Sequence, residues 1–92
     1  MKLPDETRNQ IAFSRKRISE ANARGKKPTK ADRLLVHMSD CRWHTGLDLA
    51  TNISWRFGGY LHDLKKRGVE WEKRRIAEIE DEVVYEYRLV VE

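Results

Sequence analysis

The chain carries a single cysteine, no apolar run of signal or membrane length, no glycine-rich phosphate loop, no nucleophile elbow and no paired-carboxylate arrangement. With Cys41 alone, an intramolecular disulfide is excluded. Without a long apolar run nothing exports or anchors the chain, so a cytoplasmic protein with no membrane partner is expected. The missing catalytic patterns argue against an enzyme. With 39% hydrophobic and 37% charged among 92 residues, the chain can build one small core but not a deep catalytic cavity.

What is present is positive charge, unevenly spread. Residues 1–33 hold ten Lys/Arg against four Asp/Glu, residues 34–68 five against three, and residues 69–92 four against eight. A basic N-terminal third suits a polyanion, nucleic acid being the commonest, or is a solvated charged arm. Within it, Ile11, Ser14, Ile18 and Ala21 form only a thin apolar stripe among Arg15, Lys16 and Arg17. Residues 1–28 are therefore expected to be a basic arm, helical or not, that stays outside the core and is mobile alone. Gly25, Lys26, Lys27 and Pro28 suit a linker, which sets the domain of residues 29–92 apart from the arm.

Within that domain, Thr29 is placed to cap a helix with Asp32 three residues on, and Ala31, Leu34, Leu35 and Met38 line one face. Trp43 either plugs the core or adds a brief third strand. Thr45 and Asp48 repeat the capping pattern for a short helix ending near Asn52, and Ser54 can cap a third. In that third helix Phe57, Leu61 and Leu64 recur at i, i+4 and i+7, and Gly68 supplies a left-handed stop. From Val69 the period changes to two, with Val69, Trp71, Tyr85, Tyr87 and Leu89 on one side and Glu70, Glu72, Glu86 and Arg88 on the other. A hairpin with Glu78, Glu80, Asp81 and Glu82 at its turn follows.

With Phe57, Tyr60, Leu61 and Leu64 turned inward, the opposite side of the third helix presents Trp55, Gly59, His62 and Lys66, flanked by Arg56, Asp63 and Arg67. Arg56 has the planar fork for a guanine edge, and Lys66 and Arg67 suit phosphate. The alternative is an ordinary solvated helix face. Gly58 and Gly59 each cost about 1 kcal/mol inside a helix. Either their missing side chains admit DNA or the second helix, or the helix begins after Gly59. Trp55 is a contact for sugar or thymine methyl, or, the preferred reading, is buried at the turn between helices. On the hairpin, Lys73 and Arg74 are candidate phosphate contacts, while the acidic tip points away from DNA and toward a basic protein partner or solvent. His37, Cys41 and His44 are spaced to gather soft or borderline metal ligands, but no fourth ligand stands out, and no metal or other cofactor is expected.

These elements resemble the winged helix-turn-helix superfamily, particularly small phage and mobile-element proteins. The resemblance rests on Arg56-Phe57-Gly58, Leu61 and Leu64, Gly68, and Tyr87-Arg88-Leu89, within residues 29–91. It implies an α+β winged helix, a three-helix core with a two- or three-stranded sheet, in which the third helix binds double-stranded DNA; the acidic hairpin departs from the usual basic wing. The expected function is a small transcriptional or phage-type regulator whose major-groove reader is helix 55–67, helped by Arg15, Lys16, Arg17, Lys26 and Lys27 of the arm. A homodimer is compatible with this reading. The rival is a protein-interaction module of the same fold, such as a phage-encoded inhibitor or adaptor, acting through the acidic hairpin.

Overall fold

The computed structural model describes residues 2–92. Four α-helices and a three-stranded antiparallel sheet make an α+β fold. In chain order these are α1 (Asp5–Ala23), α2 (Lys30–His37), a 3₁₀ turn (Met38–Asp40), β1 (His44–Thr45), α3 (Gly46–Asn52), α4 (Phe57–Lys66), β2 (Trp71–Ile79) and β3 (Glu82–Leu89).

The helix starts follow from local chemistry. The Thr29 hydroxyl accepts the Asp32 N–H at 3.2 Å, and Thr45 does the same for Asp48 at 3.0 Å, so each satisfies an orphan donor of a first turn. Ser54 lies two residues before the cap position, Arg56: its hydroxyl accepts from Arg56 N–H and its carbonyl from Phe57 N–H, bending the chain into α4. Gly68, at φ +86°, ends α4, and a Cβ there would lie 3.0 Å from Cγ of Glu6.

The core is built from Leu34, Leu35 and Met38 of the first core helix and its 3₁₀ extension, Leu49 and Ile53 around α3, Leu61 and Leu64 of α4, and Val69 and Leu89 at the base of the hairpin. Leu3, Phe57, Tyr60, Trp71 and Tyr87 close its rim. The sheet order is β1-β3-β2. His44 and Thr45, next to Trp43, supply the third strand, pairing with Tyr87 and Glu86. Trp43 itself is half-buried outside the core cluster, and Arg74 and Arg88 stack on its ring at 4.2 and 4.3 Å.

In the hairpin, Trp71 faces Leu89 and Arg75 faces Tyr85, which keeps the expected alternation. Ile76 then forms a bulge, and Ile79 pairs with Glu82 across a two-residue turn. Glu80 and Asp81 both have positive φ, 50° and 68°, which matches the right-handed twist of tightly turned strands.

The N-terminal segment departs from expectation. It is not an arm outside the core: α1 packs on α2, burying Thr7, Ile11 and Ser14, and Ile11 belongs to the core cluster. The thin stripe suffices because its polar member is satisfied. Ser14 donates to Asp32 at 2.6 Å, and Arg67 reaches across from the end of α4 to both. Among the described residues, no helix is long and apolar enough to cross a membrane.

Candidate nucleic-acid interface

The outer side of α4 follows from which of its residues the core takes. Leu61 and Leu64 are buried and Phe57 and Tyr60 half-buried, so Gly58, Gly59, His62, Asp63, Lys65 and Lys66 are left to solvent. Helix α4 already begins at Phe57, so both glycines sit in its first turn. Among the described residues, nothing outside the local helix backbone lies within 4 Å of where either Cβ would be. Neither the later helix start nor a close approach to α3 therefore accounts for them. Trp55 is 81% exposed, which corrects the expectation that it is buried: the chain bends into α4 through Ser54, and the indole is left outside.

Arg56, His62 and Lys66 accompany Trp55 on this exposed stretch, and among the described residues none of the three takes part in an ion pair. The N-terminal turn of α4 also has no acidic residue, so no carboxylate of that turn offsets the positive end of the helix dipole.

Three expected phosphate contacts are already committed inside the chain. Arg67 donates to Gln10 Oε1 at 3.0 Å, Asp32 Oδ1 at 3.0 Å and Ser14 Oγ at 2.8 Å, which makes it a brace between α1, α2 and α4. Arg17 pairs with the other oxygen of Asp32 at 3.2 Å, though about half of its side chain stays exposed. Arg74 gives both Nε and Nη2 to Glu86 Oε1 while stacking on Trp43. The reason is the same in each case: a carboxylate or ring distant in sequence is brought within reach by the fold.

The other candidates stay available. Lys73 lies over the Tyr85 ring at 4.9 Å, exposed, on the β2 face that also carries Trp71 and Arg75. Lys16 projects from α1 about 200° round from Ser14, away from α2. Arg15 reaches Ser39 at 3.4 Å, and Lys26 and Lys27 are exposed on the connection to α2.

Asp32 is the electrostatic hub that sequence reasoning missed. Its burial opposes ionisation. Hydrogen bonds from Ser14 and Thr29, the charge of Arg17 and the Arg67 guanidinium outweigh that and hold its carboxyl below the ordinary 3.8.

A second polar cluster joins the end of α2 to β1 and α3. His44 Nδ1 lies 2.9 Å from Asp48 Oδ2 and its Nε2 2.8 Å from Asp40 Oδ1, while His37 Nε2 approaches the same Asp48 oxygen at 2.9 Å. Burial disfavours charge on His44. The two carboxylates override it and raise its pKa above 6.5. Cys41 is not part of this group; its thiol turns to the Ser39 carbonyl at 3.7 Å. The ligand-like trio is His37, His44 and Asp48, rather than His37, Cys41 and His44.

In comparisons with known proteins, the chain matches no family model, no curated protein and no solved structure.

Proposed function

We propose that the protein is a winged-helix protein that binds duplex DNA, with α4 in the major groove, in the role of a small transcriptional or phage-type regulator. The element order supports the fold reading: α2, β1, α3, α4 and the β2–β3 hairpin follow the sequence of a helix-turn-helix with its wing. The observation that carries the function is the outer side of α4. Two helix-costing glycines, with nothing among the described residues packed against their Cβ positions, lie beside an exposed tryptophan and the side chains of Arg56, His62 and Lys66, which no ion pair among those residues holds. Such a surface lets a helix backbone come close to a polyanion and supplies both a planar fork and point charges to it.

The test separates reading from positioning. On a selected site, Arg56→Ala costs about 1–3 kcal/mol of affinity and relaxes sequence preference, whereas Lys66→Ala weakens all duplexes evenly. An Arg56→Ala protein that keeps its fold and its discrimination overturns the assignment of α4 as reader.

One observation favours the rival, a protein-interaction module. Around the acidic turn, Ile76, Ile79 and Val83 are exposed, with Ile79 at 60%. Apolar side chains ringed by carboxylates suit a basic protein surface. Binding to duplex that is absent even at low salt selects this reading.

A further inference from the structure

The polar cluster beneath the helix-turn-helix has the composition of a transition-metal site. Three donor atoms converge there: His37 Nε2 at the end of α2, His44 Nδ1 on β1 and Asp48 Oδ2 in the first turn of α3, all within 4.8 Å of one another. Zinc bonds of about 2.0–2.2 Å in tetrahedral geometry require ligand atoms about 3.3 Å apart. The Asp48 oxygen lies 2.9 Å from each ring nitrogen and all three donor atoms lie within 4.8 Å of one another, so an ion requires the oxygen to back away slightly and the two imidazoles to swing toward a common centre.

The atoms behind these donors are what distinguish the cluster from an incidental histidine pair. Asp40 Oδ1 takes the far nitrogen of His44, Nε2, at 2.8 Å, which leaves Nδ1 to face the centre. Asn52 Nδ2 donates to Asp48 Oδ1 at 2.8 Å, which leaves Oδ2 to face it. Thr45 holds the Asp48 backbone through its N–H at 3.0 Å. A carboxylate behind a ligating histidine and an amide behind a ligating carboxylate are the outer partners that fix ligand orientation in metal sites. His37 and Asp48 are partly open to solvent, so an ion has a way in and water can take the fourth position.

We propose that His37, His44 and Asp48 form a mononuclear site for a borderline divalent cation, zinc first, completed by water, with Asp40 and Asn52 as orienting residues. Two imidazoles and one carboxylate suit zinc or cobalt better than calcium or magnesium, which prefer all-oxygen shells. The ion sits where α2, β1 and α3 meet, and so stabilises the platform that carries α4 without touching its outer side. This assignment does not depend on the DNA reading.

The experiment is titration of the metal-free full-length chain with zinc chloride by calorimetry and with cobalt chloride by visible absorption, together with ¹⁵N spectra of the imidazoles. One equivalent binds, cobalt gives the intense ligand-field bands of a tetrahedral site, and zinc shifts the resonances of His37 Nε2 and His44 Nδ1 while raising the melting temperature. His37→Gln reduces affinity at least tenfold. Asp40→Asn weakens it about 10–100-fold through His44 alone. Cys41→Ser leaves affinity unchanged. Absence of binding at millimolar zinc overturns the proposal, as does zinc binding in the wild-type chain that shifts neither named nitrogen or that Cys41→Ser abolishes. The imidazole spectra are read on the wild-type chain, so an unfolded variant does not remove the test.

Discussion

At Asp32 a single carboxylate ties three helices, and its removal from water is offset only by the groups bonded to it. Its stabilisation has a definite sign with pH. The folded pKa lies below 3.8, so the contribution is complete above the unfolded value and is lost as pH falls through the folded one. Acid unfolding monitored by circular dichroism should therefore be less steep below about pH 4 in Asp32→Asn than in the wild type, on a lower plateau at neutral pH. Arg67→Ala, which takes one of its partners from the buried carboxylate and leaves Arg17, Ser14 and Thr29, should lower stability by about 1–3 kcal/mol. At the glycines the expectation runs the other way. Nothing crowds a Cβ at Gly58 or Gly59 and neither has positive φ, so Gly59→Ala should stabilise the fold by about 0.5–1 kcal/mol. Duplex affinity should fall in the same variant, because the methyl holds the helix away from the groove. Thermal melts and binding isotherms on one preparation check both halves; a stabilised variant that binds as well as wild type removes the glycines from the contact surface.

Among the elements, those set by neighbours in sequence were legible, and those joined by distant partners were not. The Thr29 and Thr45 caps, the Leu61 and Leu64 stripe, the Gly68 stop and the alternation along β2 and β3 all depend on residues within a few positions of one another. Periodicity reports such features directly. The role of α1 depended instead on Ser14 meeting Asp32, 18 positions away, and Arg67, 53 positions away. No local pattern encodes that meeting, and a stripe with a serine in it reads as thin. The same holds for Arg74, whose partner Glu86 sits across the hairpin, and for His37 and Asp48, 11 positions apart. Trp55 illustrates the opposite failure, since its residue type favours burial while the turn at Ser54 leaves it outside. Because α1 carries a core residue and a buried network, its amides from Ile11 to Ile18 should exchange nearly as slowly as those of α2 in hydrogen-exchange experiments on the free protein. Exchange at the rate of an unstructured chain across that span would contradict the packing of α1.

For the molecule as a whole, the fold redistributes the charge read from the sequence. The net charge is +4, but Arg67 and Arg74 are spent on internal carboxylates, and Arg17 is half committed. Of the cations singled out in the sequence, those left for a polyanion are Arg56 and Lys66 at α4, Lys73 on the hairpin, and Arg15, Lys16, Lys26 and Lys27 around α1. Contact of about five of them with phosphate sets the expected salt dependence. Each contact releases condensed counterion, so affinity and salt are tied by a slope of about −0.9 per phosphate. The measurement that tests the central claim most directly is therefore a titration of the full chain against random-sequence duplex at a series of salt concentrations. Binding whose log K falls against log salt with a slope near −4.5 is the predicted result. No binding at low salt, or a slope near zero, would contradict it.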